Sequence, residues 1–369
     1  MILKRILSAA AAVSVLVCSS FTALADESAP KHYTLSLADA IKIAKENSIT
    51  LKCCDINKQK LKKDLKAANI AKNQAKKAEI NGTQAFELVL VKQGYYAEAA
   101  KAQLSLADEA KKQKEANIEY NVTNLYFSYK NASDNVALLE KTYENVKSNL
   151  ETAEKSYSLG LTTKLDLDAI DLSAEKCKNS LEQMKRGEEI AKDSFRIALN
   201  LGEEATFTLT DSITVSDFAS AIEIDTAAAM KTRYDVKQLE SAKKLADKYF
   251  DIVGNLDKDN SMFYTGYANK LTAEENLKSG TENIRLAIKS SYNSVLTSIE
   301  NSGTSKRDYE QKQKEYDIYK LKFEMGTVTG TELAAKTNEV TSAAVSYNTA
   351  LLTQKLAAIK YGYDISIGL

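Results

Sequence analysis

The fold is decided by residues 118–157, IEYNVTNLYFSYKNASDNVALLEKTYENVKSNLETAEKSY. Apolar residues recur in this stretch in alternating steps of four and three, from Ile118 and Val122 through Leu125 to Tyr157. Such a heptad pattern lines one apolar seam along a helix and buries it against a second helix. The stretch therefore predicts a coiled-coil helix of about 60 Å, at about 1.5 Å per residue.

The seam is followed by a turn and then by a second run of the same kind. Residues 158–161, Ser-Leu-Gly-Leu, supply the turn, because glycine accepts the left-handed conformation that ends many helices. Apolar residues resume at Leu167 and continue to Ala198, with one interruption at Glu188, before residues 201–202, Leu-Gly, end the run. Two antiparallel helices joined by a short turn form a helical hairpin.

The hairpin occurs twice in the chain, which indicates an internal duplication. We expect a first repeat over residues 26–202, a connection over 203–222 and a second repeat over 223–369. The connection is rich in threonine at alternating positions, which suits short strands or an ordered strap. One alignment without a gap, called the hairpin alignment below, pairs Ile118 with Ile284, Tyr126 with Tyr292, Gly160 with Gly326, Thr163 with Thr329, and Gly202 with Gly368.

The second copy is more polar than the first along its seam. Serines at 291, 298, 302 and 305 and Lys312 stand where the first copy has apolar residues. An alternative set, Ile284, Ile288, Tyr292, Val295 and Ile299, could take over the packing with a different local winding.

The N-terminus has the three parts of a secretory signal peptide. Lys4 and Arg5 precede an apolar run, and Ala23-Leu24-Ala25 follows it, which predicts cleavage after Ala25 and export of the chain. Lipoprotein processing at Cys18 is the competing interpretation, but the bulky Val17 before it disfavours that route. After the signal, the sequence has no run of about twenty apolar residues to form a membrane-spanning helix.

The composition argues against an enzyme and against nucleic-acid binding. Without residues 1–25 the chain has 48 basic and 50 acidic residues, a balance that does not favour polyanion partners. His32 is the only histidine and lies in a segment expected to be mobile, and no nucleotide-binding or nucleophile motif occurs. Cys53, Cys54 and Cys177 do not form a disulfide framework, and Cys177 occupies an apolar seam position. We therefore predict no catalytic, cofactor or metal site.

Three segments resemble the outer membrane efflux, or TolC-like, family of trimeric export ducts. Residues 35–47, LSLADAIKIAKEN, resemble the first helix of that family. Residues 157–169, YSLGLTTKLDLDA, and 323–333, FEMGTVTGTEL, resemble its two hairpin tips. The resemblance implies an all-α fold of two tandem repeats of long antiparallel coiled-coil hairpins, the protomer of a TolC-like α-barrel.

The resemblance also implies sites and partners. The subunit would be part of a homotrimer, a passive conduit working with a periplasmic adaptor (membrane fusion protein) and an inner-membrane transporter. Asp166 and Glu332, each six residues after a tip glycine, would line the aperture, where a ring of six carboxylates would favour cations. The alternative is that both are ordinary first-turn acids stabilised by the helix dipole. The positions expected to face the adaptor are Leu159, Gly160, Leu161, Met325, Gly326 and Thr327.

The sequence departs from the family in two places. Ala169 and Ala335 stand where a further acid is frequent, which argues against a second carboxylate ring. Residues 82–94 suffice for about one membrane-spanning strand, and residues 252–266 carry three charges in their middle, so we expect short or missing β-barrel strands. A cell-envelope duct, in the outer membrane where the organism has one, is the first hypothesis. A coiled-coil cell-envelope spacer or surface scaffold without transport is the alternative.

Overall fold

The structure is a computed structural model that describes residues 32–77, 85–255 and 261–369. The predicted signal peptide, residues 1–25, and the alternative site at Cys18 lie outside the described residues. In chain order the elements are β1 (His32–Leu35), α1 (Leu37–Asn47), α2 (Ile49–Ala75), α3 (Ala85–Lys92), α4 (Tyr95–Ser158), α5 (Lys164–Ala198), β2 (Thr206–Leu209), α6 (Ile222–Thr232), α7 (Tyr234–Val253), α8 (Ser261–Glu324) and α9 (Gly330–Asp364).

Two long helical hairpins dominate the molecule, as the heptad pattern predicts. Helices α4 and α8 have 64 residues each, and α5 and α9 have 35 each. The hairpin alignment places both ends of α4 on those of α8 and both ends of α5 on those of α9. The long arm of each hairpin is about 96 Å, at about 1.5 Å per residue. The all-α fold of two tandem hairpins is thereby confirmed.

The shorter helices before each hairpin are also duplicated, with a different offset. Helices α1 and α6 have 11 residues each, and an alignment of Leu37 with Ile222 also pairs Ile49, the start of α2, with Tyr234, the start of α7. This second correspondence is called the helix-pair alignment below. Helix α2 packs antiparallel on α4, and α7 packs antiparallel on α8. Each repeat therefore consists of a pair of shorter helices followed by a hairpin. The second helix of the pair packs on the N-terminal half of the long arm of that hairpin.

The first hairpin buries the apolar seam that its sequence predicts. Val136 and Leu139 of α4 pack on Leu181 of α5, and nearer the tip Val146 packs on Ala174 and Cys177. The interpretation of Cys177 as a core residue is confirmed, and burial raises the pKa of its thiol, which stays protonated.

The second hairpin buries residues of both sets: Ile284, Ile288 and Val295 form one buried cluster against which Tyr292 and Ile299 pack. Ser291, Ser298 and Ser302 are also buried, at the seam positions that the first copy fills with apolar residues. The hydroxyl groups are accommodated because they find acceptors: Ser298 donates to the Val295 carbonyl at 2.6 Å, and Ser302 to Gln354 at 2.5 Å. Hydrogen bonding thus replaces part of the apolar packing.

A two-stranded parallel sheet joins the N-terminal segment to the connection between the repeats. Strand β1 pairs with β2, which agrees with short strands in residues 203–222. His32 begins β1, and its ring nitrogens lie 2.9 Å from the Thr206 hydroxyl and 3.1 Å from that of Thr208. Where the sequence alone indicates a mobile segment, His32 is paired with a distant strand.

The largest core lies where this sheet crosses the base of the first hairpin. Tyr126 is fully buried, donates its hydroxyl hydrogen to the Leu35 carbonyl at 2.9 Å and accepts from the Asp211 amide at 3.0 Å. The rings of Phe195 and Phe207 pack edge to face with centroids 5.2 Å apart. One side chain of α4 thus fixes both the segment that enters the first repeat and the segment that leaves it.

The segment predicted to supply one membrane-spanning strand is helical where it is described. Within residues 82–94, a length that would allow about one such strand, Ala85–Lys92 form helix α3. An apolar run of this length is compatible with either a strand or a buried helix on periodicity alone. Within residues 252–266, α7 ends at Val253 and α8 begins at Ser261. No helix in the described part of the chain is both long and apolar enough to cross a bilayer.

Candidate functional site

The two hairpins reverse direction through turns of the same geometry. At the first tip, the Leu161 amide donates to the Ser156 carbonyl and the Gly160 amide to the Tyr157 carbonyl, both at 2.9 Å. At the second, Thr327 and Gly326 make the equivalent two bonds at 2.9 Å. These paired bonds define the Schellman motif, which requires a left-handed residue. Both glycines supply it, with φ of 70°.

Large apolar side chains project from both tips. Leu159 is 72% exposed, Leu161 75% and Met325 69%. Nothing lies within 4 Å of where a Cβ on either glycine would be, so neighbouring packing does not explain the turn sequence. Apolar groups concentrated at an exposed turn are typical of surfaces that bind another protein. All six residues predicted to face an adaptor lie at these two turns.

Each tip turn is followed at once by a capped helix that contains a predicted aperture acid. The Thr163 hydroxyl accepts from the Asp166 amide at 3.1 Å and donates to the Asp166 carboxylate at 2.7 Å. The Thr329 hydroxyl accepts from the Glu332 amide at 3.2 Å, and the Glu332 carboxylate accepts from the Thr329 amide at 2.8 Å, which completes a capping box. Both acids therefore have a local structural role at a helix N-terminus.

The ionisation of Glu332 follows from this arrangement. Hydrogen bonds from the backbone and hydroxyl of Thr329 lower the pKa of the Glu332 carboxyl. The side chain is exposed, and that of Asp166 is partly exposed, so water reaches both carboxylates. Capping by one carboxylate oxygen leaves the second oxygen available to a passing cation.

The two tips lie side by side because α9 packs into the first hairpin. Near the tips, a Cβ on Gly330 would be 2.9 Å from the Cδ1 atom of Ile170. Further along, Asn338 donates to Ser173 at 3.1 Å and Asn348 donates to the buried Asn135 at 2.8 Å. Asp166 and Glu332 are thus brought to the same end of the molecule, each at the start of a return helix.

A four-member charge cluster near the second tip was not predicted from the sequence. Lys312 lies 2.9 Å from Glu339, and Lys336 lies 3.0 Å from Glu339 and 3.1 Å from Glu315. Hydrogen bonds from Gln311 and Lys336 lower the pKa of Glu315 to about 2. The sequence contains one indication of this cluster, since Lys312 in the second copy stands where the first copy has Val146.

The described residues contain no group of three or more histidine, cysteine or acidic side chains placed to hold a metal ion. The chemistry available at the tips is accordingly that of exposed apolar surface, capped carboxylates and fixed ion pairs. These groups can bind a partner and attract cations.

Comparisons with known proteins establish what this fold resembles. CusC, solved in work on conformational changes accompanying folding and transmembrane channel formation, is 11% identical, with 90% of this chain and 92% of CusC covered and a TM-score of 0.75. A membrane protein from Pseudomonas aeruginosa is 10% identical over 90% of both chains, with a TM-score of 0.72. The CmeC outer membrane channel of Campylobacter jejuni is 12% identical over 90% of this chain and 86% of CmeC, with a TM-score of 0.68.

No protein-family model matches the chain, and no curated protein matches it by sequence. The likeness is therefore one of fold. The chain has the fold of the TolC-like outer membrane efflux channels over nine tenths of its length, which confirms the resemblance drawn from residues 157–169 and 323–333.

Proposed function

We propose that this protein is a subunit of a passive export duct in the cell envelope, in the outer membrane where the organism has one. The observation that carries the proposal is the pair of equal hairpins that end side by side on two exposed Schellman turns. Structural likeness to efflux channels supports it. A spacer or surface scaffold needs long hairpins, but it needs neither two matched tips nor apolar side chains on them.

The way α9 packs in its own chain supports a ring of copies. Helix α9 fills the groove of the first hairpin, where Asn348 reaches the buried Asn135. The counterpart of Asn135 in the second hairpin is Asn301, which is exposed in an open groove also lined by Ser298 and Thr353. If α5 of the next copy met this groove, each contact would join one surface of a copy to a different surface of its neighbour. Such head-to-tail contacts close into a ring when the rotation between successive copies permits. Three copies would place six hairpins around one axis, the homotrimer that the resemblance implies.

The tips are the proposed docking points for a periplasmic adaptor, through which an inner-membrane transporter would deliver its substrate. Leu159, Leu161 and Met325 offer apolar side chains, and Gly160 and Gly326 fix the turns that present them. Thr327 completes the second turn by donating from its amide to the Lys322 carbonyl. A rigid turn with exposed apolar groups loses little conformational entropy on binding, which favours affinity.

Asp166 and Glu332 are proposed to line the aperture of the duct while they cap their helices. Three copies would bring six carboxylates to one end of the cylinder, where they would attract cations and repel anions. No enzymatic step is assigned to the duct, which would act by shape and charge.

One experiment tests the duct against the spacer. Purified protein without residues 1–25 should have three times the chain mass by light scattering and should form hollow cylinders in electron micrographs. A monomeric rod at high concentration would refute the duct.

Cells whose export depends on the protein then test the aperture. Asp166→Asn with Glu332→Gln should alter the flux of charged substrates, because the ring of carboxylates is neutralised. Asp168→Asn, which removes an exposed acid paired with Lys164, is the matched control and should leave the flux unchanged. Unchanged flux in the double variant would remove both acids from the aperture.

A further inference from the structure

An exposed apolar stripe lies on α8 at the end of the molecule opposite the tips. Tyr264 is 60% exposed, and Tyr267 and Leu271 are each 46% exposed. These residues follow a spacing of three and four, so they lie on one face of the helix. Helix α7 packs mainly on the neighbouring face of α8, where Val253 and Phe250 approach Gly266, and its Phe250 ring lies 5.7 Å from the ring of Tyr267 at the edge of the stripe. Within the described part of the chain no second helix covers the stripe, which stays largely exposed.

The repeat identifies which helix lies beside the same positions in the first copy, although these positions are themselves exposed. The hairpin alignment maps Tyr264, Tyr267 and Leu271 onto α4, where the equivalent residues line a groove of about 750 Å³ between α4 and α7. Two contacts close this groove. Lys237 and Glu109 form a salt bridge at 3.2 Å, and the rings of Tyr95 and Tyr249 lie 5.5 Å apart.

In this half of the molecule, α4 is flanked by α2 and α7, whereas the described residues place only α7 beside α8. Because α2 is the counterpart of α7, the missing neighbour of α8 is an α2, and the α2 of the same chain is already packed on α4. The vacant place therefore fits the α2 of a second copy. The outward face of α2 contains Ile56, which is 69% exposed and is the counterpart of Ser241 on the groove-lining face of α7.

Charge agrees with this assignment. The hairpin alignment maps Glu109 onto Glu275, and the helix-pair alignment maps Lys237 onto Lys52. Both residues are exposed, and each has kept the sign of its counterpart.

The volume of the side chains agrees as well. The intrachain groove is lined on α4 by Glu98, Lys101 and Ser105. The corresponding surface of α8 has two tyrosines and a leucine at these positions, which have the volume to fill a groove of that size.

We propose that the stripe formed by Tyr264, Tyr267 and Leu271 binds the Ile56 face of α2 in the next copy of this chain, with Glu275 paired to Lys52. The proposal rests on the ring of the proposed function and specifies the surfaces that join one copy to the next. The contact is heterologous, since each copy offers α8 on one side and α2 on the other, and it closes into a ring without leaving a free stripe.

Near the tips, mapping the intrachain contacts onto contacts between copies in the same way does not give a favourable surface. The intrachain contact of Gly330 with Ile170 maps onto Lys164 facing Lys336. That of Thr341 with Thr142 maps onto Glu175 facing Asp308. Like charges in direct opposition disfavour a close contact. The copies are therefore joined at the α2 and α8 end and lie further apart near the tips.

Carbodiimide cross-linking of the purified oligomer tests the surface directly, because this reagent joins amines to carboxylates in contact. After denaturing electrophoresis, mass spectrometry should find the Lys52–Glu275 peptide in the dimer and trimer bands and not in the monomer band. The Lys237–Glu109 pair is the internal control, since it should be cross-linked within the monomer band. Oligomers joined only through other peptides, with the control pair present, would overturn the proposed surface and leave the duct intact. Absence of any oligomer in solution would overturn both.

Charge-reversal variants provide the second arm of the test. Glu275→Lys and Lys52→Glu should each weaken association about tenfold, and the double variant should restore it, because the pair is then reversed and not broken. Glu310→Lys makes the same change of charge elsewhere on α8 and should have no effect. Equal association of all four variants would overturn the proposal.

Discussion

Replacing glycine by alanine should destabilise the protein at the tip turns and stabilise it inside a helix. Gly160 and Gly326 have φ of 70°, where an alanine side chain is strained by about 1–2 kcal/mol. Gly187 lies inside helix α5 with nothing within 4 Å of its missing Cβ. Alanine there should stabilise the protein by about 0.5–1 kcal/mol, because glycine is the poorer helix former.

Urea unfolding followed by circular dichroism measures both effects on the same scale. Gly326→Ala should lower the free energy of unfolding by about 1 kcal/mol, and Gly187→Ala should raise it by a smaller amount, with unchanged m-values. Combining the two changes should give close to the sum, since the sites are far apart and share no neighbours.

The reasoning is refuted if Gly326→Ala and Gly187→Ala shift stability in the same direction. That result would mean that the second tip does not adopt the left-handed turn in solution. Adaptor binding provides a separate readout: Gly160→Ala should weaken it through loss of the turn that presents Leu159 and Leu161, whereas Gly187→Ala should leave it unchanged.

Three further changes test the core and the charge cluster. Because the folded pKa of Glu315 is depressed to about 2, its stabilising effect is present above the usual carboxyl pKa and is lost as the pH falls from about 4.5 towards 2; the protection of amides near the second tip, relative to the intrinsic exchange rate at each pH, should fall over that range in the wild type and much less in Glu315→Gln. Tyr126→Phe should destabilise the protein by about 1–3 kcal/mol in thermal unfolding, because the buried Leu35 carbonyl and Asp211 amide lose a shared partner; an unchanged melting temperature would contradict this role. Cys177→Ser should lower stability by about 1–3 kcal/mol through burial of a hydroxyl among apolar neighbours, whereas Cys177→Ala should cost less.

The hairpins and tips could be predicted from sequence because their determinants are local. The heptad seam of α4 and the glycine after it specify a helix and its end within one stretch of chain, and the duplication repeats that information. Capping by Thr163 and Thr329 is also readable, since the acid follows its threonine by three residues.

Other features depend on contacts between distant segments. His32 is held by β2, which belongs to the connection between the repeats. No residue near His32 in the sequence indicates that this strand is its partner. The charge cluster joins Lys312 to Glu339 across the hairpin, so each residue alone resembles ordinary surface charge. Helix α3 could not be distinguished from a strand in the sequence because a short, mainly apolar run has no decisive period.

The two return helices show how packing has shaped the duplicated sequence. On α9, the positions that nest in the first hairpin are Ala334, Thr337 and Thr341, which are small and buried. The hairpin alignment gives their counterparts on α5, the exposed acids Asp168, Asp171 and Glu175.

This difference decides which helix can enter a groove. A helix can lie deep in a groove only if the side chains that enter it are small, and charged side chains oppose burial further. Helix α5 therefore cannot lie as deep in a neighbouring hairpin as α9 lies in its own. In a ring of copies, the hairpins of one chain would stay locked together, while the boundary between chains near the tips would be the one free to separate.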